Sequence, residues 1–396
     1  MSIFRLENTI QHYAWGNREG FISGLLGVPA EKGKPEAELW MGAHPLHPSR
    51  VLTEEGPVSL YEEVRKRPEE ILGKRAAGLF FGAFPFLFKV LSAGKPLSIQ
   101  AHPDKKQAEN GFDDEERRGI PRTAENRNYR DRNHKPEIIC ALTPLTALKG
   151  FRTPERMSEI AGTLHLDYPD RLPASGSLKD FFTALMTMKK KAQGILSRAV
   201  LDKAHLLPPA EARVLRLLAA HYDDDVGVLA PLFLNVVELK PGEALYVPAG
   251  ELHAYVEGSG MELMANSDNV LRGGLTPKHE DVQELLKVLD FSPGRAIALA
   301  PGKPAAGVTE YACEADEIMM TIIALSAGGQ WTAPAERSAE ILICLEGEGR
   351  LGNGTTFLAV KRGESAIIYA SSPPYTVSGN MVLYRASVNP SVFGGV

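Results

Sequence analysis

Histidine, glutamate and glutamine stand in three well-separated segments of this 396-residue chain, each strand-like and each able to turn a polar side chain inward. In Pro241–Tyr255, PGEALYVPAGELHAY, Leu245 and Val247 alternate with Ala244 and Tyr246 as in a half-buried strand, and Pro248-Ala249-Gly250 then makes a turn. Such a turn ends the ladder and lets the next strand re-enter with His253 aimed at the interior. In Pro96–Pro103, PLSIQAHP, residues two apart share a strand face, so Ser98, Gln100 and His102 point one way and Leu97, Ile99 and Ala101 the other. Burying three such polar groups without partners would cost about 1–3 kcal/mol each. A metal ion with a polar ligand would satisfy them; a face turned to water is the plain alternative. In the third segment Pro136 turns an Arg-rich loop into Glu137-Ile138-Ile139-Cys140-Ala141-Leu142, where a glutamate behind Lys135 is costly to bury unless it is paired or ligating. Gln100, His102, Glu137 and His253 together would make a nitrogen–oxygen site open to water or substrate. Imidazole plus carboxylate suits zinc, and other divalent ions less specifically. The glutamine, uncharged and a weak donor, is not a ligand that chemistry alone would select.

The elements around these residues fall into unequal parts. Residues 1–150 are strand-rich, with Pro/Gly turns, and carry two of the three segments. Between about 151 and 226 the apolar period becomes helical: Leu178, Phe181, Phe182, Leu185, Met188, Ile195 and Leu196 follow a Ser177 cap, and Pro208-Pro209 opens another helix. Strand character returns at Phe233–Leu239, in a block over 227–292 that carries His253 and ends in a short amphipathic helix at Asp281–Leu289. Pro293–Pro304 reads as a linker. Residues 305–396 are all-β in character and echo the earlier block, with Gly363–Tyr369 parallel to Gly242–Pro248. In that register Pro374 takes the place of His253, so this second copy is expected to hold no metal.

Composition excludes more than it selects. With 44% hydrophobic residues the chain can bury a large core. A net charge of −5 gives no pull toward nucleic acid, and Lys189-Lys190-Lys191 reads as a solvated helix face. Cys140, Cys313 and Cys344 lack metal or disulfide spacing, which suits a reducing cytoplasm. The N-terminus lacks a signal-peptide profile, and the most apolar stretch, Ala76–Leu91, is short and broken by Pro85 and Lys89. A soluble cytoplasmic protein without membrane partners is expected.

The string Gly242…Pro248…Gly250…His253 resembles the second histidine motif of the cupin superfamily, small jelly-roll barrels that hold a metal inside. Glu257 departs from that string, where many cupins have asparagine. Six ordered segments further resemble those of the type I phosphomannose isomerase family: QHYAWG (Gln11–Gly16), AELWMGAHP (Ala37–Pro45), PLSIQAHPDK (Pro96–Lys105), NHKPEI (Asn133–Ile138), VPAGELHAY and SDNVLRGGLTPKHEDV (Ser267–Val282). The resemblance implies a mainly β fold of two cupin-type jelly-roll barrels, the first metal-binding and interrupted by a helical insertion. It implies one zinc per chain on Gln100, His102, Glu137 and His253, thereby supplying the amide ligand. It also implies an aldose–ketose isomerase acting on a small sugar phosphate, mannose-6-phosphate to fructose-6-phosphate, for mannose metabolism and GDP-mannose synthesis; a monomer is expected, although nothing in the sequence dictates the oligomeric state.

That reaction moves a proton between C1 and C2 through a cis-enediol. It needs a base, a group that polarises the C1 and C2 oxygens, and a grip on the remote phosphate. By resemblance Arg272 is the essential active-site arginine, Ser98 and Lys278 lie where phosphate is expected, and Trp15, Tyr255, Glu262, Asp268 and Lys135 line the pocket. Lys135, Glu262 and Asp268 are the candidates for the proton-moving group, Lys135 standing with Arg272 as catalytic. Gly273 and Gly274 would let backbone approach closely. Two other readings fit a cupin: a regulatory protein that binds a sugar phosphate without turning it over, and an iron oxygenase. The latter normally wants two or three histidines and a carboxylate, and the amide with nearby cations argues against it.

Overall fold

The computed structural model describes residues 2–165, 177–222 and 224–394, so residues 166–176 and Asp223 of the expected helical insertion lie outside the described residues. Two ten-stranded sheets dominate, and every ladder among the described residues is antiparallel. The first sheet carries the three candidate ligand segments. Its organising strand is His253–Ala265, whose start pairs with Lys149–Thr146 and whose remainder pairs with Phe86–Ala93 on one side and Glu137–Ala141 on the other. The strand changes partners at a bulge between Tyr255 and Glu257 and at Gly258, held at φ +107°. A Cβ on Gly258 would lie 2.4 Å from the Pro144 carbonyl oxygen, so this corner requires glycine.

Period-two alternation decides what each strand shows to which side. Ile138 and Cys140 enter a core shared with the second sheet, among Ile341, Ile367 and Tyr384. Ile139 and Ala141, and with their parity Glu137, face an interior lined by Leu91, Ala147, Leu245 and Tyr255. Ile99 and Ala101 likewise turn away from Gln100 and His102, into the core of the helical insertion with Phe182, Leu215 and Leu218. Leu97 breaks the expected alternation and packs at the edge of the interior instead.

The insertion is helical over Pro154–Thr163, Leu178–Met186, Lys190–Asp202 and Pro209–His221. Ser177 caps its helix in a capping box with Asp180, and Thr153 caps the first one ahead of Pro154. Asp281 caps the short helix Val282–Val288 in the same way. Glu257 pairs with Arg213 of the insertion, which accounts for its charge at that place.

The second sheet requires one correction to the division read from sequence. Residues 1–150 do not all build the first sheet: Ile3–Glu7 pairs with Ser365–Ile368, and Arg50–Thr53 and Gly56–Ser59 extend the same sheet outward. Ile3 is buried in the C-terminal core with Leu342, Cys344 and Tyr375, and its strand covers what would otherwise be an open edge. No short-range pattern in the sequence marks a pairing partner at the other end of the chain. Gly302–Ala305 is also a strand, so the expected linker is partly structured. Among the described residues no helix is long and apolar enough to cross a membrane.

Candidate metal centre

Three of the expected ligands meet. His102, Glu137 and His253 are buried, and their donor atoms lie within 4.8 Å of one another. Nε2 of His102 is 3.2 Å from Glu137 Oε1, and Nε2 of His253 is 3.4 Å from Glu137 Oε2. Each ring turns its other nitrogen to a backbone carbonyl, His102 Nδ1 to Asn269 at 2.7 Å and His253 Nδ1 to Glu251 at 3.0 Å. Those contacts place the proton on Nδ1 and leave both Nε2 lone pairs facing the carboxylate. Neither Nε2 has a hydrogen-bond partner although both are buried, an arrangement that costs free energy unless a cation fills the gap. Burial, with the Lys135 charge beside it, pushes the His102 pKa down to about 4, so the ring stays in its neutral, ligating form. Burial alone would raise the Glu137 carboxyl, but the Lys135 charge beside it prevails and holds it well below the usual range. The donor set fits a divalent ion of the zinc type. Gln100 belongs to the same place through its backbone, which pairs with His253 on one side and Arg272 on the other, and its side chain is half-buried.

The surrounding residues sort into two groups. On one side lies a buried polar network. Lys135 Nζ is 3.2 Å from Glu137 Oε1, and the Tyr255 hydroxyl donates to Glu137 Oε2 at 3.1 Å. Glu262 takes a 2.8 Å hydrogen bond from Lys89 Nζ, which also reaches Glu38 at 3.4 Å, and Glu38 accepts from Trp40 Nε1 at 2.7 Å. Burial pushes the Glu262 carboxyl upward against the Lys89 charge. Tyr255 and Glu262 therefore hold other protein groups as their direct partners. Asp268 is more open, its side chain 36% exposed, with His44 Nε2 at 3.3 Å. Burial opposes its ionisation, but His44 prevails and lowers its pKa. Trp15 stacks on Tyr13 at 5.8 Å between ring centres and borders the interior cluster that contains Tyr255.

On the other side lie cations. Arg272 is half-buried and Lys278 exposed; both have pKa values lowered by burial and then by neighbouring positive charge. For both of them Arg130 is part of that charge. Ser98 is half-buried on the segment that pairs with the Arg272 strand.

Sequence reasoning did not single out Arg130, Lys89, Glu38, His44 or Asn269. Asn269 is fully buried and ties the loop together: its side-chain oxygen accepts from the Arg130 and Asp131 amides, its Nδ2 donates to the Asp131 and Asn133 carbonyls, and its own carbonyl holds His102.

Comparison with known proteins agrees with this arrangement. Residues 3–154 match the family model described as phosphomannose isomerase type I, catalytic domain, and residues 323–388 that of the mannose-6-phosphate isomerase cupin domain. The chain is 40% identical to the mannose-6-phosphate isomerase of Salmonella typhimurium, over 96% of this chain and 98% of that one. It is 33% identical to mannose-6-phosphate isomerase 2 of Arabidopsis thaliana, over 99% and 95%. Among solved structures, the zinc-bound form of a mannose 6-phosphate isomerase superposes with a TM-score of 0.91 at 37% identity, covering 98% of this chain and all of that one. The chain belongs to the type I phosphomannose isomerase family, a family of enzymes built on the cupin fold.

Proposed function

We propose that this protein is a zinc-dependent isomerase that interconverts mannose-6-phosphate and fructose-6-phosphate through a cis-enediol. The observation that carries the reading is the buried His102–Glu137–His253 cluster with its two unpartnered Nε2 atoms, next to a group of cations suited to a phosphate. His102, Glu137 and His253 would hold one zinc ion per chain, with Gln100 as the fourth ligand. When bound, the ion supplies Lewis-acid polarisation and ordering of the C1 and C2 oxygens. Zinc-bound structures of related isomerases support that choice of metal.

The protein's own residues supply the rest. Lys278, Arg130 and Ser98 grip the phosphate, since charge-assisted bonds to its oxygens are among the strongest polar contacts. Binding energy gathered there fixes the sugar in a reacting position. Lys135, beside Glu137, is placed to donate to an enediolate oxygen, and Arg272 neutralises charge that develops during the reaction. Glu262 and Asp268 are the carboxylates available to take the carbon-bound proton. Of the two, Asp268 is held ionised and is the more open. Trp15 and Tyr255 shape the pocket wall, Tyr255 also fixing Glu137 by its hydroxyl. In the same reading the enzyme is a cytoplasmic monomer, its metal confined to a catalytic barrel drawn from 1–150 and 227–292, with a metal-free barrel at 305–396 that also takes the strands Ile3–Glu7, Arg50–Thr53 and Gly56–Ser59.

A coupled assay of fructose-6-phosphate formation, run with chelator and then with zinc restored, tests the reading. Activity should vanish and return. Full activity in a demonstrably metal-free preparation would overturn the metal's role, and binding of mannose-6-phosphate without turnover would make the protein a sensor.

A further inference from the structure

The helical insertion stands behind the metal segments, and one short region of it grips two of the segments that build the site. Tyr222 donates its hydroxyl to the Pro96 carbonyl at 2.8 Å, at the start of the segment carrying Ser98, Gln100 and His102. Three residues on, Asp225 accepts the Leu275 amide on Oδ1 at 3.0 Å and the Thr276 amide on Oδ2 at 3.4 Å, besides the Gly227 amide at 2.7 Å. Between these contacts the Gly274 carbonyl accepts from the Ile99 amide at 3.0 Å, so strand, loop and insertion form one hydrogen-bonded stack.

The stack is also sterically tight. A Cβ on Gly227 would lie 2.8 Å from Leu275 Cγ, and one on Gly274 would lie 3.0 Å from Gly227 Cα. The close approach allowed by the glycine pair Gly273-Gly274 is thus made, at Gly274, to the insertion. Leu275 is held at φ +55°, a left-handed conformation that a leucine adopts only when its surroundings impose it. A carboxylate that takes the amides of residues 275 and 276 together is a device for imposing it.

We propose that Asp225 is a positioning residue for phosphate recognition. It fixes the backbone of Gly273–Thr276 and thereby the place of Lys278 beyond it, while Arg272 is held by its own pairing with Gln100. The insertion then sets the strength of the phosphate grip from behind, without touching substrate. This proposal rests on the reading of Lys278 as part of the phosphate grip.

The test uses full-length, zinc-loaded protein carrying Asp225→Ala or Asp225→Asn. Asp225→Ala should raise the KM for mannose-6-phosphate and the inhibition constant of inorganic phosphate together, on the order of tenfold, with zinc content unchanged and kcat within about threefold. Asp225→Asn keeps an acceptor oxygen and should fall between wild type and alanine. Amide hydrogen exchange over residues 273–276 should rise in step. Leu215→Ala, which loosens the insertion's core without removing any Asp225 hydrogen bond, should raise KM far less than Asp225→Ala does. If Asp225→Ala does not fold, Asp225→Asn serves for every measurement. Unchanged exchange over residues 273–276, or an equal rise of KM in Leu215→Ala, overturns the proposal. A wild type that fails to isomerise mannose-6-phosphate would sink the functional reading alone, since exchange and phosphate binding still decide the role of Asp225.

Discussion

Glu137 and Glu340 are buried glutamates at matching places in two copies of one strand arrangement, and their charges are met by different means. Each stands at the head of its strand opposite the fifth residue after a turn glycine at φ +85°: Val247 after Gly242 opposite Glu137, Ile368 after Gly363 opposite Glu340. Two residues further along, Ile139 pairs with Glu262 and Leu342 with Arg385. Beyond those, Glu262 pairs with Lys89 and Arg385 with Thr321. Arg385 therefore occupies the place that Glu262 has in the first sheet. It donates to Glu340 and, at 3.0 Å, to Thr321, while the Tyr375 hydroxyl donates to Glu340 at 2.6 Å as Tyr255 does to Glu137. Where the first copy brings in His253, the second has an exposed Pro374.

The difference separates a scaffold from a site. Glu340 is answered by a covalently tethered guanidinium that stays charged at any ordinary pH. Glu137, besides Lys135 and Tyr255, faces two imidazole nitrogens that nothing in the protein satisfies, and a ligand from solution would satisfy them and could offer open positions to a substrate. One cluster meets its carboxylate with a tethered guanidinium, and the other leaves two buried imidazole nitrogens facing its carboxylate.

The largest effect expected from breaking this contrast is at the ligands. His253→Ala or His102→Ala should lose bound zinc, measured by elemental analysis, and bring isomerase activity to background, and metal content should be one ion per chain in the wild type. Two tightly held ions per chain would contradict the division of roles between the sheets.

Next in size is Arg385→Met, which strands a buried carboxylate. Breaking a buried pair costs about 3–5 kcal/mol, and removing both partners costs far less. Chemical denaturation should therefore find Arg385→Met strongly destabilised and the double variant Arg385→Met/Glu340→Leu largely recovered. In both, kcat per zinc-loaded molecule should match wild type. A collapse of kcat without a change in stability would show that the C-terminal cluster takes part in the chemistry.

How much of this was legible without coordinates depends on how local each signal is. The ligand segments are short strings whose turn residues and alternation survive in one dimension, and the helical insertion shows its own period. Arg130 was hidden in a loop with Arg127 and Arg132, alike as residue types. The folded loop sorts them: Arg127 is buried against Glu115 and Glu116, Arg132 pairs with Asp113, and the Arg130 charge is felt by Arg272 and Lys278. Lys89, Glu38 and Glu262 come from three strands, and only the pairing of those strands makes them a network. The N-terminal strand escaped for the same reason, since its partner lies at the other end of the chain.

A third effect sharpens the contrast within the first sheet. Arg272→Ala should lower kcat by on the order of 10²–10³ if its guanidinium meets charge that appears only in the transition state. Arg272→Lys should not restore it, because an ammonium lacks the planar fork. Lys278→Ala should mainly raise KM. Steady-state kinetics in which Arg272→Ala raises KM alone would make the arginine a binding residue.

The smallest expected effect concerns acid, and it follows from the same difference in partners. In the metal-free protein His102 is neutral down to a pKa of about 4, whereas an unfolded histidine titrates near 6.5. Between those values the unfolded chain binds a proton that the folded chain does not, so stability rises with pH across this window. Chelated protein should therefore weaken as pH falls from about 6.5 toward 4, by roughly 2–3 kcal/mol from this group, and then level off as far as His102 is concerned. Zinc should suppress the loss while it stays bound, because protons and metal compete for the same Nε2 lone pair. Arg385 adds nothing in this window, since a guanidinium does not titrate there. Thermal melts of His102→Gln set against wild type, both chelated, isolate the contribution. If the two lose stability in parallel between pH 6.5 and 4, the buried imidazole is not the acid-sensitive element of the first sheet.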